Sequence, residues 1–191
     1  MEERKLPTTL QLKEELLHER KKREYRRTLR STVYILMVVA AVSVLVTTLF
    51  LPVLQVTGTS MEPTLEAGQI VLAVKNADFK NGDVAAFYYN NKVLLKRVIG
   101  LPGDQIVIDA DGNVAVNGET LEEPYLSEKS LGQCDIEFPY QVPDGKLFVM
   151  GDHRSTSVDS RSSAVGCIAD EFIVGKVVFC VWPAEHFGKI Q

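Results

Sequence analysis

Histidine and cysteine are both scarce here, three of each in 191 residues. The cysteines are Cys134, Cys167 and Cys180, at intervals of 33 and 13 residues, a spacing that matches no metal site. An odd number leaves at least one thiol without a partner in the chain, and no disulfide is expected. No metal and no cofactor are expected either. The chain has no internal repeat and no low-complexity segment, which argues against a solenoid or a linker-rich array. Residues 57–191 lack any basic excess: their net charge is −8 within a total of −4, so nucleic acid is not an expected partner. Residues 31–56 carry no charge at all, whereas residues 1–30 carry a net +4.

The uncharged stretch holds "VYILMVVAAVSVLVTTLFLPVL", 22 residues from Val33 to Leu54. As a helix it would span roughly 33 Å, against a hydrocarbon core of about 30 Å. A buried core helix usually carries a polar stripe, and this run has none. The apolar part of a cleavable leader is shorter and ends in a small-x-small site, whereas no A-x-A follows here. The expected organisation is therefore a basic N-terminal segment over 1–30, a transmembrane anchor over 31–54 and a main domain over 55–191. "HERKKREYRRTLR" (18–30) abuts the span, and positive flanks stay in the cytoplasm. This sets the N-terminus inside, the main domain outside, and the lipid bilayer as a partner. Residues 8–30 read as a charged helix able to rest on anionic headgroups.

The main domain reads as mostly β, α+β overall with the helical N-terminus. Expected strands are 69–75, 83–89, 92–100, 105–109, 113–117, 146–151 and 171–182. Asn81-Gly82, Asn90-Asn91, Pro102-Gly103-Asp104, Asp111-Gly112 and Asn117-Gly118 supply turns between them. Residues 122–142, "EEPYLSEKSLGQCDIEFPYQV", are long, polar and weakly periodic, an excursion whose role is open.

Three short stretches bear on chemistry. In "VTGTSMEPTL" (56–65), Ser60 sits on a turn where Gly58 permits unusual backbone angles and Pro63 fixes the next bend. A serine so held suits nucleophilic attack, although a loop serine capping a turn explains the motif equally well. A nucleophilic hydroxyl needs a base. His18 is on the far side of the span and His186 is in a polar tail, which leaves His153, beside Asp152, as the histidine candidate. The other candidate is Lys96 in "VLLKRVIG", where Leu94 and Val98 share its face. A free lysine titrates near ~10.4, and burial among apolar groups lowers that by as much as 3–5 units, roughly. Alternation does not decide whether Lys96 or Arg97 faces the core, but arginine does not give up its proton. The third stretch, "GDHRSTSVDSR" (151–161), holds Asp152, Arg154, Asp159 and Arg161, able to pair and stiffen a loop, and Ser157, able to orient an amine.

Taken in order after one span, "SMEPTL" (60–65), "GDVAAF" (82–87), "KRVIGLPGD" (96–104) and "GDHRSTSVDSR" (151–161) resemble the successive boxes of bacterial type I signal peptidases, most of all the single-span Gram-positive forms. The resemblance covers residues 32–182. It implies two antiparallel sheets and a serine/lysine dyad protease that cuts secreted preproteins after small-x-small sites. It puts the nucleophile at Ser60, the general base at Lys96, the orienting hydroxyl at Ser157 and a supporting ion pair at Asp159 and Arg161. It also sets Met61 and Pro63 beside the substrate and the oxyanion hole at Ser60 N–H with Gly58 and Thr59. Three positions depart from the family pattern: Gly58 replaces a hydroxyl residue, His153 replaces the asparagine of "GDNR", and Leu94 replaces an aromatic. Rival readings are a Ser60/His153/Asp152 hydrolase, a self-cleaving repressor, and an inactive anchored binding module.

Overall fold

The computed structural model describes residues 9–190; residues 1–8 and 191, and with them the start of the basic segment, lie outside the described residues. The described chain forms two compact units, divided between Thr48 and Leu49. In the first, helix α1 (Thr9–Phe50) runs without interruption from the charged segment into the apolar one. Its part from Val33 onward is about 27 Å long at 1.5 Å per residue. The hydroxyls within the apolar stretch donate back to carbonyls one turn earlier: Ser43 to Val39 at 2.8 Å, Thr47 to Ser43 at 3.0 Å and Thr48 to Val44 at 2.9 Å. These hydroxyls are thereby satisfied within the helix and do not depend on water. The apolar run reads on to Leu54, but the helix stops at Phe50. Pro52 disfavours the helical region for the residue before it, and Val53–Gln55 is strand β1.

The second unit is mostly β, with two short 3-10 turns at Asp170–Phe172 and Ala184–His186. The remaining strands are β2 (Ile70–Val74), β3 (Val84–Tyr89), β4 (Lys92–Gly100), β5 (Gln105–Ile108), β6 (Val114–Val116), β7 (Glu119–Thr120), β8 (Tyr140–Gln141), β9 (Lys146–Met150), β10 (Ile168–Ala169), β11 (Ile173–Trp182) and β12 (Gly188–Lys189). The larger sheet has the order β1-β2-β11-β3-β4-β9-β10, with β12 added to β11, and the smaller has the order β7-β6-β5-β8. Every pairing is antiparallel. Each of the seven expected strands contains an observed one. The strands that periodicity missed are two or three residues long, too short to show an alternation. β3 and β4 join through Asn90 and Asn91, both at positive φ (45° and 62°), as the tight turn demands.

Alternation along β3 explains why so much of this sheet is apolar. Val84 and Ala86 enter one buried cluster with Val56, Met61, Leu65 and Val71. Ala85 and Phe87 point the other way, into a second cluster with Val98, Leu147 and Val149. The sheet is covered on both faces here, so the strand reads as an unbroken apolar run. A third cluster, with Ile99, Ile106, Val114, Phe148 and Met150, joins the small sheet to β4 and β9. All three cysteines are free thiols.

Candidate active site

Strand pairing creates the site. β4 pairs with β3 from Lys92 to Arg97, but with β9 only from Arg97 onward, where Arg97 faces Met150. Lys96, opposite Ala85, thus has a strand neighbour on one side only. Beyond Met150 the chain leaves the sheet as the loop 151–161 and fills the other side. Ser157 of that loop takes a 2.7 Å hydrogen bond from Lys96 Nζ. Both residues are buried, Lys96 at 4% exposure and Ser157 at 1%.

The same loop holds Ser60. The N–H of His153 donates to the Ser60 carbonyl at 3.1 Å, and the His153 carbonyl accepts from Thr156 and Ser157. Gly151 marks the crossing point. A Cβ there would lie 2.5 Å from Ser60 O and would collide with Ser157 Oγ as well. The Ser60 carbonyl and the Ser157 hydroxyl that holds Lys96 therefore converge on a glycine with no room for a side chain. Before Ser60, Gly58 adopts φ +80°, which only glycine takes at little cost. Thr59 is exposed, and its carbonyl accepts from Glu62 N–H at 3.1 Å. The Ser60 N–H donates to no backbone carbonyl among the described residues.

The electrostatics of Lys96 follow from its surroundings. Burial disfavours its charge, the Asp159 carboxylate opposes that, and Arg161 adds repulsion. The result is a pKa lowered from 10.5 to about 8. For Asp159, burial acts against ionisation, but the hydrogen bonds and charge of Arg161 outweigh it and hold the carboxyl below the usual range. Arg161 Nη2 and Nε reach Asp159 at 2.9 Å each, and Asp159 Oδ2 also accepts the Gly151 N–H at 2.9 Å. The ion pair expected at 159 and 161 is present and fully buried.

Alternation left Lys96 and Arg97 undecided, and both prove to be buried. Arg97 grips Asp152 in a fork, Nε to Oδ1 at 2.9 Å and Nη2 to Oδ2 at 2.7 Å. This weighs against the Ser-His-Asp rival, since Asp152 is forked by an arginine and His153 Nδ1 is buried without a hydrogen bond among the described residues. Arg154, expected to pair within its own loop, instead binds Glu123 from the excursion at 2.6 Å. Sequence reasoning did not single out Glu123. A lone carboxylate in a polar loop gives no periodic signal.

Beside Ser60 lies a shallow cavity of about 40 Å³, walled by Gln55 to Gly58 and Met61 on one side and Val93, Leu94 and Leu95 on the other. The first wall is the end of β1 and the residues that follow it, the second is part of β4, and three strands separate β1 from β4 in the sheet order. The residues on each wall have a free strand edge: β1 pairs only with β2, and this part of β4 only with β3. Met61 lines the cavity while also belonging to the core at 2% exposure. Pro63 is exposed and outside this lining.

With this geometry in place, known proteins supply its context. The family described as signal peptidase, peptidase S26, matches residues 27–182. The chain belongs to the S26 signal peptidase family. It is accordingly a serine endopeptidase. Curated relatives include signal peptidase I of Bacillus licheniformis, 38% identical over 154 residues (74% of this chain, 81% of the relative). Signal peptidase I of Bacillus caldolyticus is 39% identical over 149 residues (70% and 80%). Signal peptidase IB of Staphylococcus aureus is 39% identical over 150 residues (68% and 77%). A crystal structure of a signal peptidase I from Enterococcus faecalis V583 superposes with a TM-score of 0.45 at 28% identity, covering 52% of this chain and 97% of that one.

Proposed function

We propose that the chain removes N-terminal signal peptides from secreted preproteins, with Ser60 as nucleophile and neutral Lys96 as general base. α1 anchors it in the cell membrane, the N-terminus is cytoplasmic, and residues 55–191 form the extracytoplasmic catalytic domain. The observation that carries this reading is the buried Lys96 amine, lowered to about 8, held on Ser157 by a loop that also grips the Ser60 carbonyl.

The preprotein segment lies extended between the two free strand edges, adding main-chain hydrogen bonds to 55–58 and 93–95. A cavity of about 40 Å³ accepts small side chains and turns away large ones. Lys96 takes the proton of Ser60 Oγ as that oxygen attacks the scissile carbonyl carbon. The oxyanion is received by the Ser60 N–H, and the positive φ of Gly58 and the Thr59 turn aim that donor. The Lys96 ammonium returns the proton to the departing amine, leaving an acyl-enzyme. A water deprotonated by the same amine then frees the signal peptide and restores Ser60. Ser157 keeps the amine aimed throughout. Ser60 follows the helix end at Phe50 by ten positions, and a secretory signal presents its small-x-small site just past an apolar segment. Nucleophile and scissile bond are thus tethered at comparable depth.

Cleavage of a signal-bearing precursor by the full chain in detergent tests the reading. Ser60→Ala and Lys96→Ala should each lose about a thousandfold or more in rate while staying folded. Full activity in either removes the dyad, and no turnover by the wild type favours the inactive binding module.

A further inference from the structure

Three buried arginines hold the loop 151–161, and each of them is also held by one stretch of the excursion between β7 and β8. Arg154 Nη2 lies 2.6 Å from Glu123 Oε1 with both side chains fully buried, while Arg154 Nε donates to the Gly151 carbonyl at 3.0 Å. Tyr125 donates to the same Glu123 oxygen at 3.0 Å and lays its ring 3.8 Å from Arg97 Cζ. Arg97 in turn forks Asp152. Arg161, the partner of Asp159, donates to the carbonyls of Ser130 and Leu131 at 3.2 and 2.7 Å. Gly132 closes the contact, since a Cβ there would collide with Arg154 O and come within 2.8 Å of Arg161 Nη1.

The loop itself brings two carboxylates, Asp152 and Asp159, for these three cations. The third counter-charge is Glu123; Arg161 Nη2 donates to the Arg154 carbonyl inside the loop at 3.0 Å, but its Nη1 is met by the Ser130 and Leu131 carbonyls from outside it. A buried ion pair adds little net stability over apolar side chains of the same volume. What it does supply is a fixed geometry, here at Gly151, where Ser60 O and Ser157 Oγ converge.

We infer that residues 123–132 form an arm that positions the catalytic base, with Glu123 as the positioning residue: it locks the loop so that Ser157 and Asp159 stay set against Lys96 and water stays out. This rests on Lys96 being the base. No residue of the arm lines the cavity, so it governs the chemical step and not substrate binding.

The test uses the full chain in detergent and a signal-bearing precursor, with kcat, KM, the pH midpoint of kcat and thermal melts measured for Glu123→Gln, Gly132→Ala and the double variant Glu123→Met/Arg154→Met. Gln keeps an acceptor but not the charge. Ala at 132 keeps every charge and displaces the arm. The double variant leaves no unpaired buried ion. In every folded variant kcat should fall about tenfold or more, as small misplacements of a reacting group do. KM should stay within about twofold, and the midpoint should rise from about 8 towards the ordinary lysine value as water reaches Lys96. The double variant should melt like the wild type and still be slow. Wild-type kcat and midpoint in the folded variants overturn the inference. So does a raised KM with kcat intact, which makes the arm a substrate contact, and so does a double variant with wild-type kcat, which makes the ion pair a matter of stability alone. If Glu123→Gln does not fold, the other two variants decide. Failure of the dyad reading looks different: it appears in the wild type, as a missing limb near pH 8 or an active Lys96→Ala.

Discussion

Lys96 Nζ and Ser157 Oγ stand 2.7 Å apart in a place closed to solvent, and this distance links the fold to the chemistry. The Ser157 N–H in turn donates to the His153 carbonyl at 3.0 Å, so the hydroxyl that holds the amine sits on a fixed turn. Burial lowers the lysine to about 8, and the neighbouring Asp159 carboxylate keeps it from falling further.

The pH dependence follows from this. Only the neutral amine accepts a proton, so kcat should climb about tenfold per unit below the lysine pKa and level off above about 8. Steady-state cleavage of a precursor between roughly pH 6 and pH 10, with chemistry limiting, checks it. A flat profile contradicts a titrating Lys96.

Asp152 and His153 are neighbours with opposite expected effects. Asp152→Ala leaves Arg97 buried without its carboxylate, a change that costs about 3–5 kcal/mol where buried pairs have been broken. Urea melts should show that loss. His153 contributes its backbone N–H to Ser60 O, and its Nδ1 is unpartnered. His153→Asn should keep the backbone bond and at least about half the activity. A loss of about a thousandfold would make the imidazole catalytic after all.

Much of this site was legible because its signals are local. Hydrophobic alternation and turn dipeptides located the long strands, and the apolar run located the helix to within four residues of its end. Ser60, Lys96 and the 151–161 loop stood out through the order of four short stretches that together resemble one family, since each alone reads equally well as a capped turn, a structural lysine or a polar loop. The partners of Arg97 and Arg154 were not legible. Their carboxylates lie 55 and 31 positions away, and β4 is buried on both faces in its second half, which erases the alternation that would have shown where each charge points. The arm of residues 123–132 was opaque for the same reason, since its role exists only through tertiary contacts.

Gly151→Ala isolates the crossing point. The added methyl would sit 2.5 Å from Ser60 O and against Ser157 Oγ, so the Ser60 turn and the hydroxyl that holds Lys96 must separate. The position has ordinary backbone angles, and the strain is steric alone. Since a misplacement of about 1 Å costs about a hundredfold in rate, activity should fall by at least that much while circular dichroism stays unchanged. Wild-type cleavage would show that the two residues need not be held together.

Lys96→Met should make the protein more stable, because the function here is held at a cost to the fold. The unfolded chain binds the lysine proton with a pKa of 10.5, the folded chain with one of about 8. Between these values the unfolded state holds more protons, so wild-type stability rises with pH; below about 8 the charged amine is a constant penalty. At 1.36 kcal/mol per unit the penalty is about 3 kcal/mol, reduced in the variant by the lost hydrogen bond to Ser157. Methionine fills nearly the same volume without a charge. The variant should therefore gain about 2 kcal/mol near pH 6.5 in urea melts, and the gain should shrink between pH 8 and 10.5 as the wild-type lysine becomes neutral in both states. A variant that is less stable at neutral pH, or whose advantage does not depend on pH, would mean that the Lys96 amine is not desolvated in the folded protein.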